Sequence, residues 1–193
     1  MAGLAGSVDV MGAEDFFRFL ETRPDEEKWE LFDGLPVLNP TPVYPHQAIV
    51  KNLLRILGNL EIERNSSWSV LPGIGVRVSN ISVPVPDVMI LPRRRDNAHV
   101  CDDMIAAFEV LSPSTGKRDL DWKRKAYASL AAVMDCIIIA PDKVQILHYR
   151  RSDSWAELQL LDMNASLAIP ELEIELKLRD VYYDTRPWHA AIS

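Results

Sequence analysis

The stretch AAFEVLSPS, residues 106–114, decides how the rest of this chain is read. Ala107, Phe108, Val110 and Leu111 make it a buried strand, and a single carboxylate, Glu109, stands in the middle. An unpaired buried carboxylate costs several kcal/mol or takes up a proton. Glu109 is therefore either compensated by a partner or is there to hold something.

Working outward, the preceding apolar segment repeats the arrangement. Side chains on a strand alternate between faces, so in SVPVPDVMILP, Val83, Val85, Asp87 and Met89 share one face. The prolines of that segment predict an edge strand or an irregular start. In AAFEVL, Ala107, Glu109 and Leu111 share one face. Sequential strands usually lie adjacent, and pairing of these two puts Asp87 beside Glu109. Two close carboxylates repel, and one is pushed toward protonation. A divalent cation removes that conflict, and hard oxygen ligands suit Mg²⁺ or Mn²⁺. The alternative for each acid is an arginine partner or a strand-end cap.

The next segment predicts a helix from about Asp119 to Val133. Leu120, Lys123, Tyr127, Leu130 and Met134 recur at three- and four-residue spacing on one face. Lys123 is the ammonium on that apolar stripe, whereas Lys125 falls on the polar side with Asp121 and Arg118. Beside two carboxylates, Lys123 would hold an attacking water or a developing anion. The alternative is a snorkelling lysine whose stem covers apolar surface. Glu30 lies amid Trp29, Leu31 and Phe32, and His46 faces inward near the start of a helix. A solvent-facing Glu and a structural His are the alternatives there.

With 193 residues, the chain reads as one domain with a substantial core, residues 1–12 forming a loose tail. No run approaches the roughly 20 apolar residues of a membrane span, and the N-terminus lacks the basic start and apolar run of a signal peptide. Cys101 and Cys136 show no metal spacing and flank apolar segments, which predicts reduced thiols in a cytoplasmic protein. The formal charge of −7 argues against broad adhesion to nucleic acid, which needs clustered Lys and Arg. A locally basic groove remains open through Arg93–Arg95, and through Lys117-Arg118 with Lys123–Lys125. The alternative is solvated loop and helix faces.

Along the chain, GAEDFFRFLET predicts a helix. KWELFDGLPVLNP predicts a β-hairpin turning at Asp33-Gly34. PHQAIVKNLLRILGNLEIER predicts a helix with Pro45 in its first turn and a stripe of Ile49, Leu53, Ile56, Leu57 and Leu60. Strands are expected at SWSVLP, GVRVSN, SVPVPDVMILP and MIAAFEVLSP. DCIIIAP has the fully apolar character of a sheet interior. KVQILHYRR and WAELQLLD predict a hairpin across Ser152–Ser154, and LEIELKLRDVYY a last strand. The order implies an α/β (α+β) fold with a mixed central sheet.

These residues resemble the Uma-two family of restriction endonucleases, within the PD-(D/E)XK nuclease superfamily. The resemblance runs from WELFDG (29–34) and PHQ (45–47), through VPD (85–87) and EVLSPST (109–115), to DLDWKRKAY (119–127). It implies a restriction-endonuclease-like mixed sheet flanked by helices, with Asp87 and Glu109 as metal ligands. The superfamily usually places its lysine two residues after the second acid, but Leu111 stands there. In the family resembled, the lysine comes from the following helix, which matches Lys123. Glu30, His46 and Tyr127 match further positions at the same site. Where the family commonly has Tyr-Trp followed by Val-Asp-Pro, this chain has Cys136-Ile137 and Ile139-Ala140-Pro141.

The function expected is a Mg²⁺- or Mn²⁺-dependent endonuclease hydrolysing DNA phosphodiesters. Asp87, Glu109 and the Val110 carbonyl would hold the metal, Lys123 would position the nucleophile, and Glu30 and His46 would assist. A homodimer is expected, since two chains cut two strands most simply. The alternatives are a catalytically inactive DNA-binding or protein-interaction module, and a phosphoester hydrolase for a small substrate.

Overall fold

Asp33 and Gly34 adopt φ angles of 45° and 82°, the left-handed pair that closes a two-residue hairpin. The turn joins β1 (Trp29–Phe32) to β2 (Leu35–Leu38) in the register Glu30↔Val37 and Phe32↔Leu35. The computed structural model describes residues 10–24, 26–95, 100–112 and 117–191. The first nine residues of the expected tail lie outside these, as do residues 113–116, which include the last three of EVLSPST. Helix α1 (Ala13–Leu20) precedes the hairpin and buries Phe16. Its approach is fixed by hydrogen bonds from Met11 N–H to Gly34 O and from Ala13 N–H to Asn80 O.

Helix α2 (Tyr44–Glu63) starts with Pro45 in its first turn, where a missing N–H goes unnoticed. Its stripe of Ile49, Leu53 and Leu57 has no exposed surface. Each such side chain contributes roughly 1.5–3 kcal/mol of burial. Four strands follow: β3 (Trp68–Leu71), the short β4 (Gly75–Val76), β5 (Val88–Pro92) and the short β6 (Val100–Cys101). Then come β7 (Ala106–Val110), helix α3 (Lys117–Ser129), β8 (Asp135–Ile139), β9 (Ile146–Arg150) and β10 (Glu157–Leu160). The chain ends through β11 (Ser166–Ile169), β12 (Ile174–Lys177), α4 (Leu178–Val181) and α5 (Arg186–Ala191).

The central sheet has six strands in the order β10-β9-β8-β7-β5-β3. Every neighbouring pair is antiparallel except β7 and β8, whose parallel pairing needs the α3 crossover. The fold is thus the mixed α/β sheet flanked by helices expected from the sequence. Strand alternation divides the core. Val88, Ile90, Phe108 and Val110 face α2 and the β11–β12 hairpin. Met89, Leu91 and Ala107 face the other layer, where Tyr127 of α3 packs. Among the described residues no helix is long and apolar enough to cross a membrane.

Some boundaries differ from the sequence reading. The segment SVPVPDVMILP enters the ladder only at Val88, because Pro84 and Pro86 lack the N–H a strand must donate. The strand is also interior, between β7 and β3, rather than an edge. In GVRVSN only Gly75 and Val76 form a strand, in parallel with β6, and Ser79 makes an isolated bridge to Ser82. Helix α3 stops at Ser129, and Leu130–Val133 form a turn. The expected last strand, LEIELKLRDVYY, forms β12 and then turns into α4; β12 pairs with β11, a strand the sequence reading did not assign, with left-handed Glu173 between them.

Candidate active site

Glu109, the residue that opened the sequence question, lies on β7 facing α3 and is 5% exposed. Its Oε1 accepts the Tyr127 hydroxyl at 2.7 Å and its Oε2 accepts Lys123 Nζ at 3.3 Å. Both donors come from α3, four residues apart, so one helical face delivers them together. Burial pushes Glu109 upward, Lys123 opposes, and Asp87 and Glu30 add to the rise, leaving it at about 7. Burial alone would lower Lys123, but Glu109, Glu30 and Asp87 hold it well above the usual lysine range. The two shifts agree once the charges are counted: one buried ammonium faces three acids, and Glu109 carries the surplus.

Glu30 is 1% exposed on β1, not turned to solvent. Its Oε1 accepts Lys123 Nζ at 2.8 Å and the Val85 N–H at 2.7 Å. The second contact ties the hairpin to the proline-containing segment that leads into β5. Lys123 therefore bridges the hairpin and the central sheet from α3.

Asp87 sits one residue before β5, continuing toward Glu109 the register in which Val88 faces Phe108. Its Oδ2 accepts the Val110 N–H at 2.9 Å and faces His46 Nε2 at 3.1 Å. Its Oδ1 accepts Lys28 Nζ at 3.2 Å. Burial would raise Asp87, but the His46 hydrogen bond, the Lys28 and His46 charges and the Val110 amide outweigh it, and the carboxyl falls to about 2. His46 is itself buried near the start of α2, and its Nδ1 has no partner.

The structure thus brings together all five side chains singled out in the sequence: Asp87, Glu109, Lys123, Glu30 and His46. Lys28 was missed. Its signal was present, because Lys28 and Glu30 are two apart and project to one side of an extended segment. Among the described residues no three His, Cys, Asp or Glu side chains form a metal cage, since Glu30 is turned to Lys123. Asp87 and Glu109 supply two carboxylates on adjacent strands, and the Val110 carbonyl is the neighbouring backbone oxygen.

These groups line an open cleft of about 850 Å³, whose other wall is β2 and the loop into α2. Of the two basic stretches expected to rim the site, Arg93–Arg95 lies away from it. Arg93–Arg95 follow the far end of β5, with Arg93 on the order of 20 Å from Asp87 along the strand. Arg93 donates there to Asn65 and Arg94 pairs with Asp103. The side chains of Lys117 and Arg118 lie outside the described residues. Lys125 is exposed and Arg124 lies over the Tyr149 ring.

A family model described as "Uma2: Putative restriction endonuclease" matches residues 13–179. A solved structure described as "a putative nuclease belonging to DUF820 from Anabaena variabilis" superposes with a TM-score of 0.70 at 17% identity. The match covers 85% of this chain and 94% of that one. No curated protein matches the sequence significantly.

Proposed function

The chain belongs to the Uma2 family, and from that premise we propose that it is a divalent-metal-dependent endonuclease hydrolysing DNA phosphodiesters. The observation that carries this is the placement of Lys123, an ammonium buried between Glu30 and Glu109 and facing a cleft that also presents Asp87. Burying such a charge group costs stability, and a catalytic role accounts for its presence. It resembles the lysine-and-acids arrangement of the PD-(D/E)XK nucleases, with the lysine supplied from a helix.

The donor chemistry fits Mg²⁺ or Mn²⁺. Asp87, Glu109 and the Val110 carbonyl are hard oxygen ligands, and the surplus negative charge on Glu109 is what a cation would offset. When bound, a divalent cation supplies an acidified water and neutralises charge on the phosphoryl oxygens. Lys123 positions the attacking water and stabilises the anion that develops. Glu30 accepts from Lys123 and from Val85, so its role is to aim the lysine. Tyr127 fixes one oxygen of Glu109, and His46 with the Val110 amide fixes Asp87.

The test is nicking of supercoiled plasmid with Mg²⁺ or Mn²⁺, beside EDTA and an Asp87→Ala control. Metal-dependent nicking that the variant loses establishes the activity. If the wild-type protein neither cuts any DNA nor binds Mn²⁺ by calorimetry, the reading fails.

A further inference from the structure

The cleft's second wall is apolar. Leu35, Val37, Leu38 and Val43 are each between 41% and 51% exposed, and all four line the same cavity as Asp87, Glu109 and Lys123. Phe32 of β1 lines the cavity with them, its ring stacked on Trp122 at 4.0 Å between centroids. Isolated exposed apolar residues are ordinary, but a contiguous set facing a polar site marks a surface that binds something.

The charge in the cleft narrows what that something is. Acids outnumber lysines along it, with Glu26, Glu30, Asp87 and Glu109 against Lys28 and Lys123. Lys123 is buried and committed to two acids, so Lys28 is the lysine there with appreciable exposure. A duplex is held mainly through its phosphates and needs many cations. Among the described residues, this cleft offers apolar surface and one accessible ammonium. Apolar and aromatic side chains bind the faces of unstacked bases, and that contact tolerates any sequence. A second copy of this chain is a poor occupant. Pro36 sits within β2, and Pro40 and Pro42 follow it, removing the N–H donors that strand addition would use.

Resting on the nuclease reading, the geometry points to an unpaired strand as the substrate: single-stranded, flapped or bulged DNA. Its bases lie on the β2 wall, and Lys28 meets a phosphate beside Asp87. One site per chain suffices for such a substrate, so the dimer expected from cutting both strands of a duplex is not required.

The test measures binding and cutting separately. A short labelled single strand and its duplex are compared by fluorescence anisotropy in EDTA across a salt series. The proteins are wild type, a Val37→Ser/Leu38→Ser pair, Leu35→Ser and Lys28→Ala, with molar mass followed by light scattering. The wild type should prefer the single strand by on the order of tenfold or more. The wall variants should lose most of that preference with an unchanged salt slope. Lys28→Ala should flatten the slope by about one phosphate contact. Equal or tighter duplex binding, with wall variants indistinguishable from wild type, overturns the inference. So does a wall variant that changes molar mass, which would make the wall a subunit interface. Cutting of duplex in Mn²⁺ in those cases leaves the nuclease reading standing. Single-strand preference without metal-dependent cutting supports the wall and removes the nuclease.

Discussion

The Tyr127 hydroxyl donates to Glu109 Oε1 over 2.7 Å, from a ring with no exposed surface. Burial and the neighbouring Glu109 push this phenol well above its ordinary range, so it remains a donor at any working pH. With Lys123 on the other oxygen, Glu109 has a buried donor at each end and still holds its proton up to about 7. The site is therefore kept ionisable against its surroundings, and stability should register that.

Glu109→Gln should stabilise the metal-free protein at pH 8. Folded Glu109 binds its proton up to about 7, against 4.5 for the ordinary group. Between those values folding takes up a proton, so stability falls as pH rises through the window, by roughly 2–3 kcal/mol. The neutral amide escapes that loss. Urea unfolding at pH 8 and pH 5 should show a gain at pH 8 that shrinks at pH 5, together with lost nicking. A variant less stable than wild type at pH 8 would contradict the charge count.

Lys123→Ala should abolish turnover, by on the order of a hundredfold or more, while Mn²⁺ binding by calorimetry is largely kept. It also leaves two buried acids without their ammonium, at a cost of about 3–5 kcal/mol. Lys123→Met, which retains the apolar stem, controls for lost packing. Metal binding that vanished with activity in both variants would remove Lys123 from the role given to it.

Asp87 works in the opposite direction. Its carboxyl is depressed to about 2, so the stability it contributes is present above its ordinary 3.8 and is lost as pH falls toward 2. His46→Ala deletes the strongest opposition to burial, and the acid limb of unfolding should move to higher pH. A carboxyl titration by NMR would locate the change at Asp87. An unmoved acid limb would show that Lys28 and the Val110 amide suffice.

Both cysteines are free and buried. Burial, with Asp103 nearby, raises Cys101 to about 11, and burial with Glu109 raises Cys136 further. Neither thiol should react with a disulfide reagent near pH 7 in the native protein, and both should react in denaturant. Rapid native labelling would show that one of these layers opens.

Gly34→Ala should lower the melting temperature. Gly34 has φ 82°, and an added Cβ would stand 2.0 Å from Val10 Cγ1. The exposed Val10 side chain can give way, but the left-handed backbone strain of about 1–2 kcal/mol remains. Because the turn sets the hairpin that carries Glu30, activity should fall with stability. An unchanged melting temperature would show that the turn is not specifying the hairpin.

Much of the fold was legible because local rules sufficed. Asp33-Gly34 announced its hairpin through the backbone conformation only such residues adopt freely. The stripe of α2 and the apolar run of β8 followed from periodicity and burial. The start of β5 was less legible, since alternation carries through Pro84 and Pro86 even though the ladder cannot. Strand β12 was legible in LEIELKLRDVYY, but its partner β11 was not, because Ser166–Ile169 is too short to show a period of its own.

The sequence by itself determined which charges had to be explained. Glu109 in an apolar strand, Asp87 after its proline and Lys123 on an apolar helix face each break a burial rule, and a rule can be read one residue at a time. Only the tertiary structure decided their pairings. It turned Glu30 inward onto Lys123 and Val85, set Lys28 and His46 on the two oxygens of Asp87, and carried Arg93–Arg95 to the far end of β5. Such partners lie up to 93 residues apart in the chain. Electrostatic pairing depends on distance in space, and that distance is set by how three layers pack, not by any local pattern.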